Sequence, residues 1–241
     1  MSAIAIFVKT PGLSPVKTRL AERVGTTQAV DLYRLCAAAV QAVAEAADIG
    51  PVYWALAETS PQAIAHWQGK TDLIEQGAGN LGERMSRVMN ILVDRHGSGL
   101  LLGADAPQLE CQQLRQAADW LEDPAPRNVI GPARDGGFWT FGANHTVPLK
   151  RWTHVDYSRP DTLKQFMHSM EGETQWLTLP TLTDLDTAAN LAPLITELQE
   201  LQHPLPAQKT VLETLEQVIT EQQTPNTTIL TTDHRPLTTD P

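Results

Sequence analysis

Apolar residues recur along this chain in two alternating rhythms. Short unbroken runs, among them Ala3–Val8, Val52–Leu56 and Gly99–Gly103, are separated by longer stretches in which apolar positions return every three or four residues. Runs of the first kind read as strands and the three-four spacing as helices with one covered side. The alternation therefore predicts an α/β fold with a largely parallel sheet.

The first strand is expected over 3–8, followed by a polar loop. Ala29, Tyr33, Cys36, Val40, Val43 and Ala47 then mark one face of a helix that Gly50-Pro51 stops. A second strand covers 52–56, a short helix about 61–68 and a weak third strand 71–75. Met85, Val88 and Leu92 share a helix face that ends near Gly97, and 99–103 is the clearest buried strand. Pro107 suits the first turn of a helix over 107–122. Segments 128–130 and 138–141 read as further strands, 161–170 as a helix, 175–179 as a strand, and 187–201 and 208–221 as helical pieces. Val211, Leu215 and Val218 line one face of the last piece, which docks on its own domain or across a dimer. Residues 223–241, rich in Thr, Pro and Asp, are expected to form a loose tail. The chain thus divides into a main domain over 1–202, a helical extension over 203–222 and the tail, with no internal repeat.

Composition narrows the functions open to such a fold. At about 150 residues per domain, 241 residues make roughly one and a half domains. With 41% hydrophobic and 19% charged residues the chain is an ordinary globular one. Its 18 Lys+Arg against 28 Asp+Glu leave a net charge of −10, so nucleic acid and anionic membrane surfaces are not expected partners. An anionic small substrate would have to be met by a local cluster of cations or by a metal. Cys36 and Cys111 form no disulfide framework or Cys-x-x-Cys pair, which suits a reducing cytoplasm. The six-residue apolar run 3–8, followed by Lys9 and Pro11, is too short for a signal segment or a membrane span.

Lys9, Lys17 and Arg19 lie between the first strand and the first long helix, where open α/β sheets bind ligands, and Pro11 and Pro15 stiffen the loop. The run ending Val16-Lys17-Thr18 lacks the glycine that a P-loop needs beside its lysine. Asp105 emerges after the strand 99–103, either to hold Mg²⁺ or Mn²⁺ against a diphosphate or to cap the helix near Pro107. Asp184 and Asp186 form a second acidic pair, with helix capping as its simpler role. Arg134–Trp139 joins a charge pair, two glycines and aromatic faces able to stack on a sugar or base, or is a plain tight turn before a strand. Gly77-Ala-Gly79-Asn-Leu-Gly82 satisfies a GxGxxG pattern, but the strand before it is short and polar. It reads as a turn in which Asn80 caps a helix and Glu83 closes the capping box. No GxSxG elbow, no HExxH and no histidine spacing suited to a metal occurs, which excludes serine-hydrolase and zinc chemistry of those types.

Six blocks in order carry a family resemblance: Ile6–Gly12, Val16–Leu20, Gly79–Met85, Gly103–Pro107, Gly131–Gly137 and Asp184–Thr187. Together, over 3–201, they resemble the bacterial GT-A-like glycosyltransferases that include those assigned to arsenosugar biosynthesis. More distantly, the Lys17–Leu20 block is similar to phospholactate guanylyltransferases and the layout to molybdenum-cofactor guanylyltransferases. The resemblance implies a Rossmann-like three-layer αβα fold with a mostly parallel mixed sheet, of the nucleotide-diphospho-sugar transferase type. It implies that Lys9, Thr10, Lys17, Thr18, Arg19, Glu83 and Arg84 face a nucleotide. Asp105 and Asp186 would hold a divalent metal, and Gly136, Gly137 and Trp139 would line the substrate pocket, with Asp135 and Lys17 catalytic. The chain departs from the family at Ala188-Ala-Asn190, where Pro-Glu-Asp is usual, and at Tyr157-Ser158, where Trp-Ser is common.

The function so implied is metal-dependent glycosyl transfer from a nucleotide sugar to a small-molecule acceptor, with Asp135 as base if the reaction inverts. The alternatives are nucleotidyl transfer from a nucleoside triphosphate to a phosphorylated small molecule with release of pyrophosphate, and non-catalytic binding of a nucleotide sugar.

Overall fold

The computed structural model describes residues 1–69, 71–172 and 174–223. A seven-stranded sheet forms its centre. β1 (Ala3–Val8), β2 (Val52–Leu56), β3 (Asp72–Glu75), β4 (Gly99–Gly103), β5 (Arg127–Pro132), β6 (Phe138–Ala143) and β7 (Gln175–Thr178) stand in the order β3-β2-β1-β4-β6-β5-β7. All neighbours pair in parallel except β6, which runs antiparallel to both β4 and β5.

β1 shows why its sequence is apolar throughout. Ile4, Ile6 and Val8 point to one face of the sheet, and Ala3, Ala5 and Phe7 to the other. Both faces are covered, so no position is left for a polar residue. On the first face lie α2 (Thr26–Ala47), α3 (Pro61–Trp67) and α5 (Cys111–Leu121), reached after the short α1 (Thr18–Val24). α4 (Leu81–His96), α6 (Leu149–Thr153) and α7 (Thr162–Ser169) cover the second. The result is the three-layer α/β sandwich with a mostly parallel mixed sheet that the sequence implied.

α8 (Leu191–Gln199) and α9 (Pro206–Gln223) pack on the outside of α2. Val211, Leu215 and Val218 of α9 are buried in one cluster with Leu32 and Cys36 of α2, so this face is covered within the chain. The expected tail 223–241 lies outside the described residues beyond Gln223. No helix among the described residues is long and apolar enough to cross a membrane.

Two expectations need correction, and one helix comes in addition. The stretch between β1 and the long helix is not all loop, because Thr18–Val24 forms α1 with Leu20 as its one buried residue. A single buried side chain leaves no periodicity to read. The helix expected over 107–122 starts only at Cys111, with Glu110 and Gln113 forming its capping box. Gln108 is buried instead, donating to the Thr183 carbonyl and to Glu197, and this holds Pro107 and Gln108 in a turn. Asp105 is therefore not a helix cap. The segment 149–153, left unassigned from sequence, is α6, and its Trp152 is fully buried.

Candidate active site

Sheet order decides where a ligand fits. The chain leaves β1 toward β2 and β3 on one side and resumes with β4 on the other, so the carboxyl ends of β1 and β4 flank a crevice of the kind that binds ligands in open α/β sheets. Because β6 runs the other way, the turn between β5 and β6 opens at this same edge and brings Asp135 beside the residues that follow β4. Several hydrogen bonds tie the segment after β7 to it, among them Arg134 N to the Leu182 carbonyl at 3.0 Å, Leu182 N to the Pro132 carbonyl at 3.1 Å and Leu185 N to the Asp105 carbonyl at 2.9 Å. These links carry Asp184 and Asp186 to the crevice.

Two confluent cavities open there. One is a groove of about 640 Å³ with Lys9, Lys17, Arg19, Arg84 and Arg159 on its walls, five of the chain's 18 basic residues. The other, about 250 Å³, has a floor of Phe7, Met85, Leu101, Phe138 and Tyr157. Asp105, Asp135 and Asp184 line both, so the carboxylates stand where groove and pocket meet. In a protein of net charge −10 this is the local cationic concentration that an anionic substrate requires.

Lys17 stands at the head of α1 with left-handed backbone, φ 47°. A non-glycine residue pays strain there, and such residues concentrate at functional sites. Its side chain is 7% exposed, and the ammonium donates to Asp105 Oδ2 at 2.6 Å. Arg19 pairs with Asp186 at the more open rim. Tyr33 holds the backbone of Lys9 from below: its hydroxyl accepts from Lys9 N at 2.9 Å and lies 3.1 Å from the Lys9 carbonyl. Burial raises this phenol far above its ordinary value, so it stays neutral.

Asp184, which the sequence marks only as one of an acidic pair, has a strongly perturbed carboxyl. Burial first, then the charges of Asp105 and Asp135, push it up to about 6. Its Oδ1 is buried with no hydrogen-bond partner among the described residues. The sequence signal was only the spacing Asp-x-Asp; which aspartate turns inward depends on the Leu185–Asp105 backbone bond.

The other expected site residues divide between the cavities and the scaffold. Thr10 is buried, its Oγ1 accepting from Trp67 Nε1 and its N–H donating to Glu58. Thr18 faces a separate shallow groove with Gly12 and Leu13. Glu83 closes the capping box with Asn80 on α4, as the turn reading of the GxGxxG stretch required, while Arg84 reaches the groove and its Nε donates to the Gly79 carbonyl. Gly137 lines the pocket. Gly136, φ 91°, instead lets the chain of the next segment approach, since a Cβ there would sit 1.9 Å from the Pro160 carbonyl oxygen.

Trp139 is among the residues that line the pocket, as expected, but it turns little of its ring to it. The β5–β6 register shifts at Gly131/Pro132, and Trp139 is turned into the core, 3% exposed. Its indole occupies the space a Gly131 side chain would need and donates to the Pro180 carbonyl at 3.1 Å. Phe138 stacks on Phe166 of α7 at 4.7 Å and forms part of the pocket floor.

Among the described residues no three His, Cys, Asp or Glu side chains form a ready-made ion cage. The donor set at the crevice fits the other common arrangement, one or two carboxylates completed by substrate phosphate oxygens and water. The orphaned oxygen of Asp184 and its repulsion by Asp105 and Asp135 are what a divalent cation would relieve.

Similarity to known proteins follows the same lines. A candidate nucleotide-diphospho-sugar transferase from Desulfovibrio desulfuricans G20 superposes with a TM-score of 0.78 at 24% identity, covering 92% of this chain and 97% of that one. Rv0371c of Mycobacterium tuberculosis H37Rv gives 0.52 at 16% identity, over 80% and 97%. The shared property is the fold, that of the nucleotide-diphospho-sugar transferases. No curated protein matches the chain. Residues 38–159, from α2 through the β5–β6 turn to Arg159 at the cavity junction, match the family described as uncharacterized protein conserved in bacteria, and the chain belongs to that DUF2064 family.

Proposed function

We propose that the protein is a metal-dependent glycosyltransferase that takes a nucleotide sugar as donor and a small molecule as acceptor. One observation carries this reading: a cationic groove of about 640 Å³ meets a smaller, largely apolar pocket at three carboxylates. The groove has the size and charge for a nucleoside diphosphate, and the pocket the size for one small group. The name of the Desulfovibrio relative supports the same class of donor.

In this reading Lys17 and Arg19 hold the diphosphate oxygens, where charge accumulates as the glycosidic bond breaks. Asp105, with Asp184 or Asp186, would hold a divalent cation, which supplies further neutralisation of the leaving diphosphate. Asp135 keeps Oδ1 on Gly137 N at 2.8 Å. Its Oδ2 makes no hydrogen bond among the described residues and would take the proton of an acceptor hydroxyl while that oxygen bonds to the sugar carbon and the nucleoside diphosphate departs.

The test is thermal stability against nucleotide sugars and nucleoside triphosphates, with and without Mn²⁺, for wild type and Asp105→Asn, alongside a pyrophosphate-release assay. A ligand at a hundredfold its dissociation constant adds about 2.7 kcal/mol. A metal-dependent shift with a diphospho-sugar, lost in Asp105→Asn, is the expected result. A shift with triphosphates alone, accompanied by released pyrophosphate, would replace glycosyl by nucleotidyl transfer.

A further inference from the structure

The small pocket differs from the groove in chemistry. Phe7 from β1, Leu101 from β4, Met85 from α4, Phe138 from β6 and Tyr157 give it an apolar floor. Tyr157 spends its hydroxyl on the Trp152 carbonyl at 2.8 Å, so it presents ring rather than polar group. Polar partners in this pocket stand at its mouth, where Asp105, Asp135 and Asp184 line it, so the part of a ligand that rests on the floor meets apolar surface alone.

One cation lines this pocket. Arg159 lines both cavities, and its Nε donates to Asp161 Oδ1 at 3.2 Å. Its terminal nitrogens make no hydrogen bond among the described residues. A guanidinium held at Nε with its fork free is suited to a carboxylate or phosphate. The backbone presenting it is fixed on both sides. Ser158 adopts left-handed backbone, φ 63°; Arg159 N donates to Thr162 Oγ1 at 3.0 Å; and Leu163 N donates to the Gly136 carbonyl at 2.8 Å. The missing side chain of Gly136 lets Pro160 rest against the catalytic turn. Arg159 is thus built into the wall of the site rather than attached to a loose loop.

We propose that the pocket receives a second substrate with an apolar body and one oxyanion, the body on the Phe7–Met85–Phe138 floor and the oxyanion on Arg159. The inference rests on the glycosyl-transfer reading and adds the chemical class of the acceptor, with Arg159 as its specificity-determining residue.

Met85 provides a local reporter, since the chain has only five methionines and this one is 6% exposed on the pocket floor. The full chain, ¹³C-labelled at methionine methyls and assigned with Met85→Leu, is titrated with phenyl phosphate, benzoate and phenol. Arg159→Gln and Arg159→Lys are compared with wild type, and UDP, GDP and CDP are titrated into the same samples. Both anions should shift the Met85 methyl by ring current, and Arg159→Gln should raise their dissociation constants about tenfold. Arg159→Lys should recover part of the loss, and phenol should bind the wild type and Arg159→Gln alike. The tighter of the two anions names the oxyanion. Anion binding that ignores Arg159→Gln, or that leaves Met85 unmoved at saturation, overturns the inference even if nucleotides bind. Absence of all nucleotide binding with the Arg159 dependence intact overturns the glycosyl-transfer reading and leaves the pocket's preference standing.

Discussion

Replacing Asp184 by asparagine is expected to stabilise the protein at pH 8 while removing its activity. Burial, then Asp105 and Asp135, push this carboxyl from 3.8 up to about 6. The folded chain therefore binds a proton that the unfolded chain does not between about pH 4 and pH 6, so stability falls as pH rises through that window. A displacement of this size costs about 3 kcal/mol at neutral pH if taken in full. The side chain is partly open to the groove, and solvent screening brings the cost to about 1–2 kcal/mol. Asp184→Asn keeps the shape and removes the charge. In a chain of this length the gain corresponds to a rise in Tm of roughly 3–6 °C at pH 8. At pH 4 and below, where the wild-type carboxyl is protonated, the gain should vanish. Calorimetry of both proteins at pH 4, 6 and 8 measures this directly. A variant that melts at or below wild type at pH 8, or a gain undiminished at pH 4, would refute the account of Asp184 as a charge held against its preference. A site residue that stabilises when neutralised is the usual sign of stability given up for function.

The remaining predictions concern the turn and the groove. Gly136→Ala must place a methyl against the Pro160 carbonyl from a backbone at φ 91°, and is expected to lose about 3 kcal/mol or more in urea unfolding. Gly137→Ala, whose new atom would lie 3.1 Å from Asp135 Oδ1, should lose less than half as much; equal losses would show that the Pro160 contact is not what selects glycine. Lys17→Met removes the ammonium paired with Asp105 and should weaken nucleotide diphosphate binding by about tenfold or more in titration calorimetry. Lys9→Met, at an exposed position of the same groove, should weaken it far less. A similar loss from both would mean that the groove acts by general charge and not through the Lys17–Asp105 pair.

Much of the scaffold could be read from the chain because its signals are local. β1, β2 and β4 are apolar runs whose two faces are both covered. The periodicity of α2 and α4 states which side meets the sheet. The capping box of Asn80 and Glu83 lies within four residues of sequence. For the same reason α1 and α6 were invisible: each is short and buries one side chain, too few for a period. The start of α5 was misplaced because Pro107 carries a local helix signal, while the contacts that hold Gln108 in a turn come from Thr183 and Glu197, some eighty residues on.

Residue types suited to phosphate and metal chemistry were already evident in the sequence at Lys17, Arg19, Asp105 and Asp135, since charge and turn chemistry are properties of single residues and short runs. Which of them meet was decided by tertiary structure. Inserting β6 antiparallel between β4 and β5 sets the Asp135 turn beside Asp105, and no local pattern encodes that pairing. The register shift at Gly131/Pro132 accompanies a buried Trp139, and the Leu185–Asp105 backbone bond draws the Asp184 segment to the crevice. Arg159 reaches the pocket because Pro160 finds room over Gly136. Local sequence determined strands, helices, caps and the supply of charge; long-range pairing, which alone sets the distances between charges, decided the site.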